Sequence, residues 1–172
     1  MHGRADAGPG ACNYPRRERQ GVNPRATRYP DLCFTSFSGY AAAVQLSRVA
    51  AVITLVRLRT LHSHVSTLRR ATWLVAGALL DCTELLGDAA EPVSRTVEEL
   101  ERLESLEGSE AERRIANSLT WMSAAMADEE TCSDYLQNTA EAGGSSVIAD
   151  VDRQVGSLKE YTDNALALVD GR

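Results

Sequence analysis

Apolar residues recur at spacings of three and four along four stretches of this chain, which predicts four amphipathic helices and no strand. The clearest stripe runs through Ala78–Asp88, ALLDCTELLGD, where Leu79, Cys82, Leu86, Ala89 and, beyond it, Val93 fall on one face. Cys82 therefore points where the leucines point, toward a core. A second stripe, Ile115, Leu119, Met122, Met126, Cys132 and Leu136, carries another inward thiol and is broken by the polar pair Glu129–Glu130.

Taken in order, the first long helix is predicted over Leu46–Arg70, with Leu46, Val49, Ile53, Val56, Leu61, Val65 and Leu68 on or near one face. The second runs from Ala71 to about Leu106. It should bend near Pro92, because proline removes a backbone hydrogen bond and clashes with the preceding turn. The third spans Ala111–Thr139, ended by the breaker cluster Gly143-Gly144-Ser145-Ser146. The fourth spans Ser146–Val169, with Ile148, Val151, Val155, Leu158, Thr162, Ala165 and Leu168 on its inner face. Four such helices with mostly short connections form an all-α, antiparallel up-down four-helix bundle. Ahead of them, residues 1–26 are rich in Gly, Pro and Arg without periodicity and read as a disordered leader. Pro30 and Asp31 then mark the start of a short helix, Asp31–Tyr40, followed by a brief helical link over Ala41–Ser47.

Composition sharpens this picture in two ways. The chain is 172 residues long, enough for one domain that buries its own core, and with 44% hydrophobic but only 5% aromatic residues it has a helical profile. A net charge of −6 argues against a general nucleic-acid binder, which needs a basic surface to neutralise phosphates. Most acids lie after Glu84, whereas the first thirty residues carry Arg4, Arg16, Arg17, Arg19, Arg25 and Arg28, giving an acidic body with a basic tail. The apolar run Val49–Val56 is too short to span a bilayer.

The candidate chemistry is sparse. Glycine-rich phosphate loops, GxSxG and HExxH are all missing from the sequence. His62 and His64 stand two apart on a helix and cannot face one ligand together. Asp128 and Glu129 are adjacent, point in different directions and read as surface charges. No enzyme activity, cofactor or metal is expected. The four cysteines, Cys12, Cys33, Cys82 and Cys132, permit three pairings and sit in no CxxC motif, so disulfides in an oxidising compartment are favoured over zinc. Cys82 and Cys132, inward on consecutive helices, are either bonded or two buried free thiols packing as small apolar groups. The opening MHGRADAGPGACNYPRRERQ lacks the apolar stretch of a secretory signal, which conflicts with the cysteines; it reads as a misassigned or alternative first exon.

The segments ATRYPDLC, ALLDCTELLGDA, WMSAAMADEETCSD and YTDNALAL, in this order from about Thr27 to Leu168, resemble the plant invertase/pectin methylesterase inhibitor family. The resemblance implies a helical domain over residues 27–170, made of an N-terminal hairpin at 27–45 and the bundle at 46–170. It implies a Cys82–Cys132 disulfide, an extracellular setting in the apoplast and cell wall, and a monomer with no membrane or nucleic-acid partner. It further implies inhibition of pectin methylesterase, bound one to one, by a surface that includes Thr131. Where the family has threonine, asparagine and glutamine ahead of that residue, this chain has Ala127, Asp128 and Glu129, so Asp128 and Glu129 are expected beside Thr131 at the partner-binding surface. Three competing readings are an invertase inhibitor, the pro-region of a pectin methylesterase, and an intracellular helical interaction module. The first of these relies in its branch on a Pro-Lys-Phe tripeptide between the last two helices, which Asn138–Val147, NTAEAGGSSV, does not contain. The second would need a catalytic domain after the bundle, where this sequence ends at Arg172.

The family's hairpin is held by a disulfide whose first cysteine corresponds to Pro24 here, leaving Cys12 as the substitute partner for Cys33 across a much longer loop. Cys12 and Cys33 should therefore pair poorly or heterogeneously, and Asp31–Ser47 should exchange its amide hydrogens faster than the bundle. Uniformly slow exchange over that segment, matching the bundle, would contradict the expectation.

Overall fold

The computed structural model describes residues 40–71, 75–103, 108–141 and 145–171, with side chains from Ala43 onward. They form four helices: α1, Tyr40–Ala71; α2, Ala76–Leu103; α3, Gly108–Glu141; and α4, Ser146–Asp170. Each helix packs on its two ring neighbours, α1 on α2 and α4, α3 on α2 and α4, which is the arrangement of an up-down bundle. Cross-links fix the antiparallel sense. Ser47 Oγ, near the start of α1, is 2.9 Å from the carbonyl of Leu168 near the end of α4. Thr96, late in α2, reaches the carbonyl of Ser118, early in α3.

Local chemistry sets several of the helix ends. Gly108 opens α3 with φ of 66°, and Gly171 closes α4 with φ of 71°, a left-handed conformation open to glycine without steric cost. The Gly171 N–H donates to the carbonyl of Ala167, satisfying one of the orphaned acceptors of the last turn. The cysteine-bearing seam lies at mid-bundle. Cys82 and Cys132 are bonded across α2 and α3 with Cα atoms 4.6 Å apart, and both are fully buried. Around them lie Leu58, Leu79, Leu86, Met122, Leu136, Ile148, Val151 and Val155, all at or near zero exposure. A smaller cluster of Val44, Ala51, Leu100, Leu103, Ala111 and Val169 seals the end where α1 begins and α4 finishes.

The stripes expected on α2 and α4 are the buried ones, from Leu79 through Val93 and from Ile148 through Leu168. Two expectations need correction. The first concerns α1, which starts at Tyr40 instead of Leu46, so the segment expected as a link forms its opening turns and the boundary expected at residue 45 falls inside a continuous helix. The short helix expected over Asp31–Tyr40, together with Cys12 and Cys33, lies outside the described residues apart from Tyr40. Second, α1 turns Val44, Ala51, Leu55, Leu58, Leu61 and Val65 inward, while Val49, Ile53 and Val56 are 45%, 41% and 58% exposed. The run VAAVITLV is apolar on every side, so its periodicity cannot select a face. Small Ala51 and Thr54 allow the close approach to neighbouring helices. As expected, α2 continues through Pro92, whose carbonyl accepts from Thr96 Oγ1 at 3.0 Å.

On α3 the inward line is Ala111, Ser118, Met122, Ala125, Glu129, Cys132 and Leu136. It is rotated slightly from the expected stripe, so that Ile115, Leu119 and Met126 are only half-buried. Glu129 is thus a core position and no break.

The bond between Cys82 and Cys132 closes a separation of 50 residues, which in the chain-entropy account removes about 4 kcal/mol of unfolded-state freedom. Peptide mapping of non-reduced protein should recover the two cysteines linked. Replacing both by alanine should lower the stability read from urea unfolding by about 2–5 kcal/mol. Free alkylation of both thiols in oxidised material would contradict the structure.

Candidate functional site

The residues expected to contact a partner lie on α3 where it runs between the disulfide seam and α4. Thr131 is exposed, and its Oγ1 donates to the carbonyl of Ala127 one turn back at 2.8 Å. That bond fixes the hydroxyl rotor and leaves an oxygen lone pair facing outward for a donor from another molecule. Asp128 is half-buried beside it. Burial first, and then the charge of Asp88 across the seam on α2, raises its carboxyl above the usual range.

Glu129 does not share this surface. Its relative exposure is zero, so the expectation of a partner-binding surface charge is corrected: the side chain lies inside the bundle. The cause is helical phase. Glu129 follows Ala125 by four and precedes Cys132 by three, the spacing that keeps a residue on the buried line. Thr162 Oγ1 of α4 donates to its Oε1 at 2.8 Å, whereas Oε2 is buried with no hydrogen-bond partner among the described residues. Burial pushes this carboxyl up to about 7, against the hydrogen bond from Thr162 and the charge of Lys159, which lower it.

The seam between α3 and α4 continues in polar pairs on either side. Glu130 faces Lys159 at 3.8 Å, and Ser133 Oγ donates to Asp152 Oδ1 at 2.6 Å, with Gln137 Nε2 donating to Ser133 Oγ at 3.0 Å. These contacts hold the outer face of α3 at a set angle to α4. Three residues of this region carry no role in the sequence reading. Tyr135, one turn after Thr131 on the same face, is 45% exposed and presents a large amphipathic ring of the kind enriched in interfaces. Its i, i+4 relation to Thr131 was the available signal. Asp88 and Thr162 act from other helices, and no local pattern links them to α3.

Among the described residues no three His, Cys, Asp or Glu side chains are grouped to hold a metal, and no helix is long and apolar enough to cross a membrane. His62 lies near Gly87 of α2, while His64 lines an open groove of about 930 Å³ between α1 and α4 with Val52, Ile53, Val56 and Leu158. Thr131, Asp128 and Tyr135 are not among the residues lining this groove.

Residues 23–168 match the model of the plant invertase/pectin methylesterase inhibitor family. The "21 kDa protein" of Daucus carota is 33% identical over 151 residues, covering 83% of this chain and 77% of that protein. "Pectinesterase inhibitor 9" of Arabidopsis thaliana is 32% identical over 156 residues, covering 84% and 76%. "Pectinesterase 3" of Phaseolus vulgaris is 23% identical over 148 residues, which cover 83% of this chain but 25% of that longer protein. No solved structure matches. With its four ordered segments, disulfide-linked helical bundle and a family match over most of its length, this chain belongs to the plant invertase/pectin methylesterase inhibitor family.

Proposed function

We propose that the protein inhibits plant pectin methylesterase, binding the enzyme one to one through the α3 face that carries Thr131, Asp128 and Tyr135. The observation that carries this reading is similarity over more than four fifths of the chain to several proteins named pectinesterase inhibitors. The inhibitor performs no chemistry. It occludes the cleft through which pectin reaches the enzyme, and the regulated outcome is de-esterification of cell-wall pectin. Rigidity contributes directly: a face held by a buried disulfide and by the α3–α4 polar pairs has little left to order on binding, so less of the contact energy is lost.

The invertase reading is disfavoured because the α3–α4 connection lacks the Pro-Lys-Phe tripeptide of that branch. The paired cysteines Cys82 and Cys132 fit an oxidising, extracellular setting and speak against an intracellular interaction module.

Purified, oxidised protein should inhibit a plant pectin methylesterase and leave acid invertase unaffected in a parallel assay. Thr131→Trp should weaken inhibition by about tenfold or more, because a bulky side chain disrupts a fitted interface, while the unfolding midpoint moves little at so exposed a site. Tyr135→Ala should weaken it by a similar factor, as the loss of an aromatic anchor does. Full inhibition by both variants would remove this face from the interface, and inactivity of the oxidised protein toward any plant pectin methylesterase would overturn the reading.

A further inference from the structure

Directly beneath the proposed docking face, the bundle core contains a carboxyl group. Glu129 sits on the inner line of α3 between Ala125 and Cys132, two positions before Thr131, with zero exposure. Its surroundings serve a neutral acid better than a carboxylate. Thr162 Oγ1 lies 2.8 Å from Glu129 Oε1 and 3.4 Å from the carbonyl of Leu158, and it has one hydrogen to give. If Glu129 keeps its proton, the acid donates to Thr162 Oγ1 and the threonine donates onward to Leu158, which leaves only an uncharged Oε2 carbonyl without a donor. Once Glu129 is ionised, the threonine hydrogen must turn to the carboxylate. Leu158 then loses its side-chain donor, and the buried Oε2 has no donor among the described residues to balance its charge.

The neighbouring helices do little to compensate. Lys159 of α4 attracts the carboxylate, but it is itself drawn to Glu130 on the outside of the seam. Asp128 and Glu130, on the same helix, repel it. From α2 come the Cys82–Cys132 bond and apolar Leu86, and the Asp88 charge acts on Asp128, adding to the negative potential nearby. α1 contributes Leu55 and Leu58 to the same core, with His62 near Gly87 of α2.

We propose that Glu129 makes the docking face pH-responsive: as a neutral acid it holds α3 against α4 beneath Thr131, and loss of its proton in neutral medium loosens that seam and weakens target binding. The regulatory part rests on the inhibitor reading above; the effect on the bundle does not. The sign follows from linkage. The carboxyl titrates near 4.5 when unfolded and near 7 when folded, so stability is full below about 4.5 and falls as pH rises through about 7. If only the protonated bundle binds, the apparent dissociation constant grows as the inverse of the protonated fraction, about tenfold by about pH 8 for a group titrating near 7.

The test compares the full oxidised chain with Glu129→Gln, which keeps the shape and an acceptor for Thr162, and with Glu129→Met, which fills the site without charge. Asp128→Asn controls for the half-buried carboxyl. Urea unfolding from about pH 4.5 to about pH 8 should show the parent and Asp128→Asn losing stability as pH rises relative to both Glu129 variants. Amide exchange at the upper pH, corrected for its intrinsic rate, should accelerate in α3 around Glu129 and in α4 around Thr162 in the parent and in Asp128→Asn but not in the Glu129 variants. Against one pectin methylesterase at each pH, the ratio of the parent's inhibition constant to that of Glu129→Gln should rise about tenfold between about pH 5 and about pH 8. Parallel unfolding profiles for the parent and both Glu129 variants would overturn the proposal. Divergent unfolding profiles with a constant inhibition ratio would overturn the link to binding. Absence of inhibition by every variant at every pH would overturn the inhibitor reading instead, with the unfolding profiles still deciding whether Glu129 is the responsive group.

Discussion

The seam between α2 and α3 sets the geometry of everything else in this bundle. The Cys82–Cys132 bond and the Thr96–Ser118 contact belong to one antiparallel register, since moving from Cys82 to Thr96 along α2 matches the step back from Cys132 to Ser118 along α3. A shift of one helix along the other would carry leucine-filled layers out of alignment and break a covalent bond. α1 and α4 then close the ring against this pair, and the Ser47–Leu168 contact fixes where they meet. The outer face of α3 is therefore held from three directions, through the disulfide to α2 and through Thr162 and Asp152 to α4.

Such a frame suits a protein whose work is to fit another surface. Side-chain entropy on the proposed docking face is reduced in advance, because Thr131 is tied to its own helix and Ser133 to α4. The electrostatics of the body fit the same picture of a shaped surface without reactive groups. α1 has no acidic residue, whereas α2, α3 and α4 carry many, so the bundle has a basic flank and an acidic remainder. Arg57 of α1 stacks on Tyr161 of α4 at 4.0 Å and Arg114 of α3 bonds Glu99 of α2 at 2.6 Å, linking neighbouring helices near the surface. Long-range charge of this kind orients an approaching partner more than it stabilises the fold.

An ionisable group in the core also changes how the fold responds to its medium. Most carboxylates of the protein are solvated, and exposed ion pairs such as Arg95 with Glu91 contribute little. Glu129 differs because folding removes it from water and supplies only one hydrogen bond. Its protonation is therefore tied to the packing of α3 on α4, and through that packing to the disposition of Thr131 two residues away.

The sequence alone determined the helical class, the four helices of the bundle, the inward thiols and the faces of α2 and α4, because on those last two helices apolar residues occupy one stripe and polar residues the rest. On α1 the same reasoning failed: Val49, Val52, Ile53 and Val56 compete with Ala51, Leu55 and Leu58, and which set goes inside depends on the close approach of neighbouring helices, decided by the packed bundle. The site divides in the same way. The exposure of Thr131 was legible from its place on the polar side of α3, but a glutamate reads as surface in any sequence, since charge is normally kept in water. Only the tertiary structure, by bringing Thr162 of α4 against the inner line of α3, made Glu129 a core residue, because helical phase aims the side chain inward and a hydroxyl on another helix receives it.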